Sequence, residues 1–140
     1  MLFYGCTHEV DPLRRELQVN RELWDSHNIL AYKYDFQRIC FCPQEITAPV
    51  IIQVQNKHIV AVSEVATDEP VDAARWEYYL TVVELFDEID AAIDREAYEI
   101  VVDYDSELGY PSSVELDADK YTIDEEVGFR VELIDFDATR

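Results

Sequence analysis

Three sets of residues in this chain have types and spacings that could do chemistry. The tightest is Cys40-Phe41-Cys42. Alternate residues of a strand point the same way with Cα atoms about 6.6 Å apart, near the upper limit of about 6.8 Å for a disulfide. A direct bridge therefore needs a bend, and Pro43 is placed to allow one by ending the strand next to Cys42. As metal ligands the two thiols lack a second pair. Only Cys6 remains, and His8, His27 and His58 are scattered, so a structural zinc site is short of ligands. The spacing is also not the Cys-x-x-Cys that activates a thiol at a helix start. A disulfide in an oxidising compartment ranks first, two reduced thiols packed beneath a helix second, and metal last.

The second set is acidic: Asp103, Asp105 and Glu107, then Asp117, Asp119, Asp124, Glu125 and Glu126. Hard cations such as Ca²⁺ take several oxygens from one loop. The run from Asp103 to Gly109 places carboxylates two apart ahead of a glycine. That glycine comes one residue late for an EF-hand loop, and no bidentate glutamate closes it. The run after Asp117 has no turn glycine before Glu126. Solvated acidic loops are the stronger reading. Asp103, Asp105, Glu107, Asp117 and Asp119 stand as the candidate ligands for calcium, the one cofactor left open.

The third set is aromatic. Tyr32, Tyr34, Tyr104 and Tyr110, with Phe36, Trp24 and Trp76, could line a ligand groove or a partner-binding face. Aromatic residues at strand and helix spacing are more often core, and core is the default. Nothing local supports an enzyme: there is no G-x-S-x-G, no H-E-x-x-H and no phosphate loop. With three glycines in the whole chain, the backbone has few places to cradle a phosphate.

These residues must be held by a folded domain, and the composition supports one. Of the 140 residues, 49% are hydrophobic, including nine Tyr, six Phe and two Trp, which excludes intrinsic disorder despite the charge. The charge itself is extreme. Thirty-one acidic residues against 11 basic ones give −20. Such a chain repels phosphate backbones and anionic membrane surfaces. The acids run along the whole sequence and lysine is scarce, so solubility or salt adaptation explains them best, ahead of a cation-binding surface and a decoy for a basic partner. No run of about 18 apolar residues exists to span a bilayer.

Helix signals come first. Asp11 is a natural N-cap and Pro12 suits the first helical position, opening a helix to about Asn28 with a stripe of Leu13, Leu17, Asn20 and Trp24. Leu30 to Cys42 alternates as a long strand, with Tyr32, Tyr34, Phe36, Arg38, Cys40 and Cys42 on one face. A loop follows between Pro43 and Pro49. Val50 to Gln55 and His58 to Val65 form a hairpin across Asn56-Lys57. Ala66 to Leu80 reads as a polar loop. Thr81 and Glu84 form a capping box, opening a helix to Asp94 that buries Leu85, Phe86, Ile89 and Ile93. Strands at Glu99 to Asp105, Pro111 to Asp117 and Val127 to Phe136 complete the chain. The expected fold is α+β: an antiparallel sheet of five or six strands packed by two helices, in the order α-β-β-β-α-β-β-β, forming one domain from residue 11 to 140.

Several landmarks together resemble a bacterial family of uncharacterised small proteins, many made as lipoproteins or secreted. They are Asn20 to Trp24, Tyr32 to Pro43, the 50–62 hairpin, Thr81 to Asp90, Val102 to Asp117 and Asp124 to Phe129, with Cys-x-Cys-Pro and Tyr-Asp to Gly-Tyr-Pro the most specific. Lys57 departs from the pattern, standing where a hairpin glycine would be usual. The resemblance carries no activity. It implies an envelope setting, which favours a bond between Cys40 and Cys42. It also makes Gly5-Cys6 the remnant of a lipoprotein signal, with Cys6 lipidated and residues 1–10 a flexible leader. If Met1 is the native start, the setting is the cytoplasm instead. The function expected is a non-enzymatic envelope or periplasmic module for a protein or peptide partner, with a basic one among those the charge suits. No nucleic acid is expected. The alternative is a small-ligand or calcium-binding domain.

Overall fold

A computed structural model describes residues 10–118 and 126–138. The elements run α1 (Val10–Ser26), β1 (Ile29–Ile39), α2 (Gln44–Thr47), β2 (Val50–Gln55), β3 (His58–Glu64), a 3₁₀ turn (Ala73–Tyr78), α3 (Val82–Asp94), β4 (Glu99–Tyr104), β5 (Pro111–Asp117) and β6 (Glu126–Ala138). The six strands form one antiparallel sheet in the order β3-β2-β1-β6-β5-β4. Each half of the chain thus contributes a three-stranded meander, and the first and last strands join them at the centre.

Local chemistry accounts for most of these boundaries. At α3, Thr81 Oγ1 accepts from the Glu84 amide at 3.2 Å and Glu84 Oε1 accepts from the Thr81 amide at 2.9 Å. This is the reciprocal cap that the sequence predicts. The β2–β3 turn has Asn56 at φ 51° and Lys57 at φ 72°, the two left-handed residues that a two-residue hairpin demands. Within 66–80 the structure adds a feature that composition hides. The Asp72 side chain accepts from the Ala74 amide and opens the 3₁₀ turn, a local bond of the kind Asp favours at caps. One turn of helix, α2, likewise occupies the expected loop after Pro43.

Both long helices lie on one face of the sheet. Leu17 and Trp24 of α1, and Val82, Leu85, Phe86, Ile89, Ala92 and Ile93 of α3, share one core with the inward side chains of the strands. Burial of this apolar surface is the main stabilising force, at about 25 cal/mol per Å². Arg14 of α1 pairs with Asp90 and Asp94 of α3, and Arg21 pairs with Asp87, at half-exposed sites where such pairs contribute little. Gly109 holds the β4–β5 turn at φ +88° against α1, where an added Cβ would collide with the Asn20 carbonyl and press on Leu23. Only glycine fits there.

Candidate functional site

The aromatic set belongs to the interior. Tyr32, Tyr34 and Tyr110 are buried and Tyr104 half-buried, so they offer no face to a partner. Core, the default reading of these rings, is where they lie, and not the alternative of a groove or partner face. Their alternation points them under the helices, because the other strand face is the exposed one. Trp24 meets Tyr32 and Tyr110 edge-on, at centroid distances of 5.4 and 6.3 Å, and Tyr104 stacks on Phe86. Their hydroxyls are structural. Tyr32 accepts from the Val82 amide at 3.0 Å, Tyr34 donates to the Leu80 carbonyl, and Tyr110 accepts from the Leu133 amide. Burial pushes the Tyr32 and Tyr34 phenols well above their ordinary range, so both stay neutral donors or acceptors.

The acidic candidates are not brought to one point. Asp105 Oδ2 accepts from the amides of Glu107 and Leu108, so it serves its own turn. Asp103 pairs with Ser113 at one end of the β4–β5 ladder and Asp117 with Glu99 at the other. At ~3.3 Å per residue that puts about 13 Å between the two ends. Among the described residues, no group of three or more His, Cys, Asp or Glu side chains is placed to hold a metal ion. Asp119, Asp124, Glu125 and Cys6 lie outside the described residues.

The cysteines are where the sequence and the structure meet. The strand stops at Ile39, three residues short of the expected end, and residues 40–42 bend. The bend draws the Cα atoms of Cys40 and Cys42 to 5.3 Å and their sulfurs to disulfide distance. Phe41, between them, is left 74% exposed.

That bend forms one wall of a groove on the sheet face opposite the two long helices, where the short α2 touches β1 through a hydrogen bond from Gln37 to the Thr47 carbonyl. The register of the strands builds it. In one row Glu99 of β4 stands beside Asp117 of β5, which stands beside Glu126 of β6. In the next, Val101, Glu115, Gly128 and Ile39 follow across four strands. Gly128 has no side chain, so the second row dips between Glu115 and Ile39. The resulting cavity is about 440 Å³, between Phe41 and Ile39 on one side and Glu99, Glu115 and Asp117 on the other. The ion pairs described above, and that of Arg75 with Glu64, all lie elsewhere. Arg130 is the groove's one basic side chain among the described residues. Sequence reasoning missed this site, since the strand partners of Gly128 are far from it in the chain.

The family of unknown function DUF6174 matches residues 16–136. The chain belongs to that family. The DUF6174 match takes in the Cys40–Cys42 bend, the groove and the tyrosine core, and it leaves out Cys6. No curated protein matches the chain.

Among the described residues no helix is long and apolar enough to cross a membrane.

Proposed function

We propose that this domain is a non-enzymatic module that binds a protein or peptide partner through the face of its sheet opposite the two long helices. The supporting observation is the composition of that face. It carries the exposed apolar side chains of Ile39, Phe41 and Val101 beside cross-strand rows of like charge, Glu99-Asp117-Glu126 and Asp35-Glu132. Directly opposed like charges destabilise a sheet, so their retention on a face with apolar patches supports a partner-binding use. The setting we infer is extracytoplasmic, where a bond between Cys40 and Cys42 would persist.

The test is a random-peptide display selection against the domain. Enriched peptides are then measured on two variants, Lys33→Glu with Phe41→Glu and Val101→Lys on the open face and Arg15→Glu on the outer surface of α1. Peptides that lose the first variant and keep the second support the proposal. Equal binding to both would place recognition elsewhere.

A further inference from the structure

The groove over Gly128 has a chemistry of its own. Three features converge there, each from a different part of the chain. The first is a glycine inside a paired strand. β6 is bonded on both sides at this position, to Ile39 of β1 and Glu115 of β5, and glycine weakens a strand interior unless something approaches the backbone closely. A Cβ built at Gly128 would lie 3.6 Å from the Ile39 Cβ and 3.1 Å from the Val114 carbonyl oxygen. Its absence therefore opens the floor. The second is the apolar wall of Ile39 and Phe41, the latter held out by the bend at Cys40 and Cys42. The third is the far rim of carboxylates, Glu99, Glu115, Asp117 and Glu126, with Arg130 the one basic side chain among the described residues of the groove.

An apolar trough that ends among carboxylates matches one kind of side chain. Lysine and arginine carry an apolar stem that packs on apolar surface and a charged head that reaches polar surroundings. A carboxylate beside such a head makes a short, charge-assisted hydrogen bond, and arginine makes it with two nitrogens at once. We propose that the groove over Gly128 binds an arginine- or lysine-bearing peptide segment, with the basic stem lying across Gly128 against Ile39 and Phe41. The head reaches Glu115 and the Glu99-Asp117-Glu126 row, and an apolar residue beside it in the segment covers Phe41. The proposal rests on the partner-binding reading of the sheet face and gives it a location and a partner chemistry.

The experiment uses the whole chain, labelled with ¹⁵N, and two synthetic probes. One is acetyl-Gly-Leu-Arg-Leu-Gly-amide. The other replaces its arginine with citrulline, which keeps the shape and removes the charge. The arginine probe is expected to shift the amide resonances of Gly128, Glu115 and Ile39, and citrulline to weaken binding roughly tenfold. Glu115→Gln should weaken the arginine probe several-fold without altering the thermal melt, and Gly128→Val should abolish the shifts by filling the floor. Should Gly128→Val fail to fold, Glu115→Lys, at an exposed position, makes the same test by reversing the rim's charge. Equal binding of the two probes would overturn the proposal. Shifts confined to Asp35, Ile51 and Gln53 would overturn the groove while sparing the sheet face. Shifts on α1 or α3, or none anywhere, would sink both.

Discussion

Asp35 of β1 and Glu132 of β6 stand directly opposite each other on the two central strands, carboxylate facing carboxylate. Burial, and then the Glu132 charge, hold the Asp35 carboxyl above its ordinary range. A folded-state pKa above the unfolded one means that protonation favours the fold. The stability this group contributes is fully present below the unfolded pKa and is lost as the pH rises through the folded one. Asp35→Asn removes that loss. The variant should be more stable than the parent at pH 7, by a few tenths to about 1 kcal/mol, and the difference should shrink below about pH 4. Denaturant titrations of both proteins at pH 7 and pH 3 check this. A variant that is weaker at neutral pH would show that the opposed charges do not repel.

Phe86 anchors α3 to the sheet. It is fully buried, stacks on Tyr104 at a centroid distance of 6.4 Å, and carries the Arg21 guanidinium 5.5 Å above its ring. Phe86→Ala should cost about 3–5 kcal/mol, measured by urea unfolding. A loss under 1 kcal/mol would contradict this packing.

Tyr32 ties the start of α3 to β1. Its hydroxyl is the partner of the buried Val82 amide, so Tyr32→Phe keeps the ring and strands one donor. The expected loss is about 1–3 kcal/mol, with the circular dichroism spectrum unchanged. Equal stability of the two proteins would mean that water or a neighbour takes the hydroxyl's place.

A bridge between Cys40 and Cys42 would enclose a single residue. On the chain-entropy account so short a loop contributes only about 1–2 kcal/mol. Alkylation without reductant, followed by mass spectrometry, should leave both cysteines protected and Cys6 labelled. Paired Cys40→Ser and Cys42→Ser substitution should lower the melting temperature modestly. Three labelled cysteines would show the thiols to be free.

A net charge of −20 repels itself at low ionic strength, and salt screens that repulsion. The melting temperature should rise as NaCl is added. Ca²⁺ at matched ionic strength should add little, and a stoichiometric Ca²⁺ effect lost in Asp105→Asn would reverse that expectation.

The readable parts of this sequence are those decided by neighbours within a few residues. Thr81 and Glu84 announce the start of α3, Asn56-Lys57 the hairpin, and the alternation of Tyr32, Tyr34 and Phe36 the buried face of β1. The end of β1 was less legible, because Cys40 and Cys42 continue the alternation while the chain has already turned. The groove was not legible at all. It depends on Gly128 meeting Glu115 on one side and Ile39 on the other, and strand partners set by tertiary packing leave no local trace. The isolated glycine inside a strand pattern was the one signal to follow.

The central pairing of β1 with β6 orders events in time. Residues 29–64 can zip into their own meander as soon as they are made, yet β1 keeps a bare flank of 11 residues until β6 arrives. Long unpaired flanks recruit strands from other chains, and contacts as distant as Lys33 with Asp135 form late. The vulnerable species is therefore the half-synthesised chain, whose like-charged copies hold one another apart until the last strand seals the middle of the sheet.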